Sequence, residues 1–110
     1  MMGIIVSLIA VFTVAFINAG HAQVGAADAR RGQQLATRLC SGCHIVTAGS
    51  TATANADIPT FPAIADRPDT TPERLAGRII IPHPPMPTTQ LTVAEMRDVI
   101  AYIMSLKRQP

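Results

Sequence analysis

Cys40-Ser41-Gly42-Cys43-His44 is the stretch on which the reading of the whole chain turns. It has the form Cys-x-x-Cys-His, the attachment signature of a c-type haem. The chemistry needs this spacing. Two thiols a short turn apart can each form a thioether with one of the two haem vinyl groups. The residue directly after the second thiol, His44, is then held beneath the ring, where its imidazole reaches the iron as a proximal ligand.

Two rival readings use the same residues. A thioredoxin-like thiol pair needs a βαβ context, and the flanking residues 31–39 and 45–49 offer helix and loop instead. A structural zinc site needs four ligands, usually Cys or His. Beyond the first 22 residues the chain has only Cys40, Cys43, His44 and His83 of those types, and Cys43 and His44, being adjacent, crowd one another at a metal.

The chain has 110 residues, enough for one small domain. At this size a hydrophobic core alone is marginal, and a cofactor often completes it. There is no Trp, one Tyr and three Phe, so a flat apolar cofactor would supply bulk that the side chains lack. The net charge of +2 is about what two haem propionates would cancel. No basic run or basic patch interleaved with aromatics points to nucleic acid.

Residues 1–22 read as a secretory signal peptide. Ile4 to Ile17 is apolar apart from Ser7 and Thr13, and Gly20-His21-Ala22 offers small residues at a cleavage site before Gln23. No Lys or Arg precedes the apolar run. The alternative is a retained membrane anchor, for which Gly3 to Ala19 is short. Residues 23–27 form a flexible lead-in, and 28–110 the folded domain.

Asp28 is a cap for a first helix over Ala29 to Leu39, with Gly32, Leu35 and Leu39 on one face. A glycine inside a helix costs about 1 kcal/mol relative to Ala, so Gly32 marks either a close helix crossing or a tolerated surface position. Residues 45–58 have loop composition, and the prolines of 57–62 argue for extended backbone before a short helical turn over 63–67. Thr71-Pro72-Glu73 starts another helix that runs to about Ile80, with Leu75, Ile79 and Ile80 inward.

His83-Pro84-Pro85-Met86-Pro87 is the second informative stretch. Prolines on both sides of Met86 stiffen the backbone, as a thioether offered as an axial ligand requires. His83, three residues away, competes for that role. Thr92 to Glu95 is a capping box opening a helix over about 91–107. Val93, Met96, Val99, Ile100, Ile103 and Leu106 form its apolar stripe, and Lys107 and Arg108 suit its negative end. Met96 and Met104 read as packing residues.

Together these pieces resemble a small class I c-type cytochrome, from about Ala27 to Leu106. The resemblance rests on Gly32 and the first helix, the Cys40–His44 motif, Pro59-Thr60-Phe61, the His83–Pro87 stretch and Asp98 to Ile103. It implies an all-α fold of three to four short helices around one covalent haem c, with the first and last helices crossing. By the same resemblance Cys40 and Cys43 carry the haem, and His44 and Met86 ligate iron. The carbonyl near Pro59 would hold the outer nitrogen of His44, and Tyr102 would pack on Gly32. With no Trp to meet a haem propionate, Arg67 and Arg78 are the candidates.

The expected function is a periplasmic single-electron carrier, cycling between a dehydrogenase, an oxidase or a membrane electron-transfer complex. The alternatives are a haem subunit bound permanently to a periplasmic dehydrogenase, and an enzyme or gas sensor with five-coordinate iron. A membrane partnership follows only if the leader is retained.

Overall fold

The computed structural model describes residues 25–110 except Ala54, Ala56 and Pro82. The expected leader, residues 1–22, lies outside the described residues. Four helices follow in order: α1 over Ala29–Leu39, α2 over Phe61–Asp66, α3 over Pro72–Ile80 and α4 over Val93–Ser105. Among the described residues there is no strand.

Each helix begins on a side chain that accepts from otherwise unpaired backbone N–H groups. The Asp28 carboxylate takes Arg30 N–H at 2.9 Å and Arg31 N–H at 3.2 Å. Thr60 takes Ala63 N–H at 3.1 Å, and Thr71 takes Arg74 N–H at 3.2 Å. At α4 the exchange is reciprocal. Glu95 N–H donates to Thr92 Oγ1 at 3.2 Å, and Thr92 N–H donates to Glu95 Oε2 at 2.9 Å. Such caps contribute about 1 kcal/mol each, enough to fix where short helices start.

Helix α4 is the axis of the fold: α1 packs on it most extensively, and α2 and α3 also lie against it. The core is Leu35 and Ala36 from α1, Val46 from the loop after Cys40–His44, Phe61 and Ala65 from α2, Leu75 from α3, and Val99, Ile100, Tyr102 and Ile103 from α4. Met96 and Met104 pack at its margin.

Gly32 is buried where α1 meets α4. A Cβ built on it would fall on the Asp98 carbonyl and within 2.9 Å of Val99 N. The crossing is therefore a backbone-to-backbone approach that only glycine permits. It meets α4 at Asp98 and Val99, one turn before Tyr102, the partner expected from sequence.

Several other expectations are corrected. Phe61 and Pro62 are helical, because Thr60 caps α2 and proline is tolerated in a first turn. Leu39, Ile80 and Val93 are exposed, at 53%, 61% and 62%, so the inward faces of α1, α3 and α4 are narrower than their apolar patterns suggest. Helix α4 ends at Ser105, and Arg108 pairs instead with Asp66, through N–H to Oδ1 at 3.0 Å and Nε to Oδ2 at 2.8 Å.

Candidate cofactor site

The motif folds as a tight turn leaving α1. Cys40 caps the helix with its N–H on Ala36 O at 2.8 Å. Cys43 N–H and His44 N–H then both donate to Cys40 O, at 3.1 and 2.9 Å. This turn carries the two thiols and the imidazole within one short span. Cys40 is half-buried and Cys43 exposed, and neither is in a disulfide.

Burial pushes the Cys40 thiol above its ordinary value. A reactive thiol pair depends on the opposite shift, toward thiolate. With no strand among the described residues, the βαβ setting of a thioredoxin-like pair is missing as well. Zinc fares no better: among the described residues no three His, Cys, Asp or Glu side chains gather into a metal-binding group.

His44 Nδ1 lies 2.7 Å from the carbonyl oxygen of Pro59. A carbonyl only accepts, so Nδ1 carries the proton and Nε2 keeps the free lone pair. The ring also packs on Phe61, with centroids 5.4 Å apart. The carbonyl is itself held in place: Phe61 N–H donates to Ile45 O at 2.9 Å, and Thr60 caps α2 on the next residue. The loop after the motif thus closes on itself and returns an acceptor to the imidazole.

The same loop is anchored to α4. Val46 is buried, and its carbonyl accepts from the Tyr102 hydroxyl at 2.6 Å. Tyr102 and Phe61 lie with ring centroids 6.4 Å apart. Tyr102 is therefore a strut under the motif loop, a role its sequence position did not show. An open cleft beside the motif is lined by Thr37, Cys43, His44, Val46 and Ile58, among others, and by no described residue of the Met86 segment.

Met86 is half-buried in a turn closed by its N–H on His83 O at 2.7 Å. The Pro84–Pro85 peptide bond is cis. On either side of Met86 stand two buried polar atoms with no hydrogen-bond partner among the described residues, His83 Nδ1 and Thr89 Oγ1. Arg67 and Arg78 are exposed.

Sequence reasoning missed Asp98. Its side chain is 1% exposed, accepts Asp28 N–H at 2.7 Å and pairs with Arg31 Nε. The Arg31 guanidinium, and then the Asp28 N–H, hold this carboxyl below its usual range against the opposing effect of burial. The only sequence signal was a charge beside the apolar run Val99-Ile100.

The donor set fits a covalent haem: two free thiols at the motif spacing, an imidazole whose outer nitrogen is already fixed, and a thioether on a proline-stiffened turn. The cytochrome c family profile matches residues 29–107. The chain belongs to the cytochrome c family.

A cytochrome c-552 from Bradyrhizobium diazoefficiens is similar, 48% identical over 82 residues that cover 74% of this chain and 78% of the relative. No solved structure gives a significant match. Membership of the cytochrome c family implies one covalently attached haem c, monohaem electron transfer and redox proteins as partners. Proteins of this kind are typically exported. No helix among the described residues is long and apolar enough to cross a membrane.

Proposed function

We propose that this cytochrome c is a periplasmic carrier of single electrons with His/Met-ligated iron. Cys40 and Cys43 would hold the haem by thioethers, and His44 Nε2 and Met86 Sδ would ligate its iron. The contact between His44 Nδ1 and Pro59 O, 2.7 Å long, carries this reading. It fixes the tautomer, aims Nε2 and raises its basicity, as the outer hydrogen bond of a metal-bound histidine does.

When bound, haem iron supplies a one-electron ferric/ferrous couple. With His44 and Met86 both bound to it, the iron would have no position open to a substrate, which suits transport rather than transformation. A thioether opposite an imidazole raises the potential relative to more electron-donating ligands. The struts from Tyr102 to Val46 and from Phe61 to Ile45 hold the motif loop still, so little of the polypeptide has to move when the electron arrives.

Optical spectra of the protein matured with haem-attachment machinery test this reading. A haem that resists acidic organic extraction is expected, together with the weak ferric charge-transfer band of a thioether ligand. Amino-terminal sequencing of the exported product should begin at Gln23. A stably folded, colourless product from competent cells would exclude the reading.

A further inference from the structure

The segment Pro59-Thr60-Phe61 grips His44 at two points. The Pro59 carbonyl takes the Nδ1 proton at 2.7 Å, and the Phe61 ring lies against the imidazole, with centroids 5.4 Å apart and planes tilted by 51°. These contacts restrain different motions. A hydrogen bond to a carbonyl accepts a broad range of approach directions, and the outer torsion of a histidine side chain has broad wells. The bond therefore fixes which nitrogen faces the carbonyl, and leaves the twist of the ring about its Cβ–Cγ bond loosely set.

Phe61 is built to set that twist. It is 4% exposed, and behind it stands Tyr102, with centroids 6.4 Å apart and planes tilted by 52°. Tyr102 is itself buried and fastened through its hydroxyl to the Val46 carbonyl at 2.6 Å. The Phe61 N–H donates to Ile45 O at 2.9 Å, which ties Phe61 to the residue next to His44. The Phe61 ring is thus wedged between a fixed ring and the imidazole, in the tilted arrangement that aromatic pairs favour.

We infer that Phe61 is a positioning residue for electron transfer, its ring holding the twist of the His44 imidazole and Tyr102 holding Phe61. This rests on the proposed ligation of haem iron by His44. The plane of an axial imidazole governs which iron d orbital holds the unpaired electron in the ferric state. A ring free to swing would blur that choice and rearrange whenever an electron came or went. Packing that locks a functional side chain in one orientation removes this freedom.

Nuclear magnetic resonance of the holoprotein tests the inference, with Phe61→Leu set beside Val99→Ala. The first variant keeps an apolar side chain and removes the flat wall. The second also cuts the buried core, at the Gly32 crossing and outside the row of three rings. In the ferric protein the order of the haem methyl hyperfine shifts reports the imidazole plane. Phe61→Leu should change that order, whereas Val99→Ala should lower stability and keep it. In the reduced native protein a nuclear Overhauser contact is expected between the His44 and Phe61 ring protons.

An unchanged order in folded Phe61→Leu overturns the inference. So does the same reordering in both variants, which would make a softened core the cause and not the Phe61 ring. If Phe61→Leu does not fold, the native contact decides: its presence supports the clamp and its absence overturns it. Should the reduced protein lack strongly ring-current-shifted His44 protons, the ligation itself fails. Where those protons are present and the methyl order does not move, only the role of Phe61 falls.

Discussion

Gly32 and Asp98 touch backbone to backbone: a methyl group on the first would overlap the carbonyl of the second. The packing of α1 on α4 depends on this approach, and α1 carries the motif at its far end. Gly32→Ala tests it. Helix propensity alone favours Ala by about 1 kcal/mol. The overlap is with backbone, so no side chain can turn aside and the helices must part. Overpacking typically costs about 1–3 kcal/mol, and with backbone on both sides the cost here lies at the upper end of that range. A net loss of about 2 kcal/mol is expected, and each kcal/mol lowers the melting temperature by about 4–8 °C in a domain this small. An alanine variant as stable as the parent would mean that the two helices do not meet there.

The buried Asp98 carboxylate makes the same junction sensitive to acid. Its folded pKa lies below the ordinary 3.8, chiefly through the Arg31 guanidinium. A depressed carboxyl contributes stability that is complete above about pH 5 and is lost as pH falls through 3.8 toward the folded value. Asp98→Asn keeps the shape but removes the charge. It should cost about 1.5–3 kcal/mol at pH 7, the range for hydrogen bonds to a charged group. Denaturation curves taken between pH 7 and pH 3 should show the gap between parent and variant narrowing with acid. A constant gap over that range would mean that Asp98 is not the titrating partner.

The helices could be read from the chain because their causes are local. Asp28, Thr71 and the Thr92–Glu95 pair sit within a few residues of the N–H groups they satisfy, and the starts of α1, α3 and α4 follow from them. The motif was legible for the same reason, since its spacing is its chemistry. What depended on distant partners was not. Nothing near Asp98 in sequence shows that Asp28 and Arg31 will reach it, and nothing near Tyr102 names the Val46 carbonyl as its acceptor. The exposure of Leu39, Ile80 and Val93 was hidden too: a helical stripe gives a direction, but only the neighbouring helices set how much of it is covered.

Tyr102 supplies a prediction about the loop rather than the helices. Its hydroxyl donates to the Val46 carbonyl at 2.6 Å in a buried setting. Tyr102→Phe keeps the ring on Phe61 and leaves that carbonyl without its donor. The loss should be about 1–3 kcal/mol. Hydrogen exchange should quicken at the Phe61 N–H, whose bond to Ile45 O closes the same loop, while amides within α1 change less. A stability change below about 0.5 kcal/mol would show that water replaces the hydroxyl and that the strut is dispensable.

Met86→Ala separates the two halves of the proposed ligation. Cys40, Cys43 and His44 sit in the turn that leaves α1, while Met86 comes from a separate segment, in a turn closed by its own bond to His83 O. Removing the thioether should therefore leave the haem covalently attached and His44 in place. Reduced variant protein should bind carbon monoxide, which the parent with both positions filled should not. The potential should fall by an amount on the order of 0.1 V, well inside the roughly 0.8 V over which axial ligands set haem potentials. Should the parent bind carbon monoxide just as readily, Met86 is not a ligand. If instead only the combined removal of Met86 and His83 opens the iron, the imidazole three residues upstream can take the vacated place, as its position in the same turn permits.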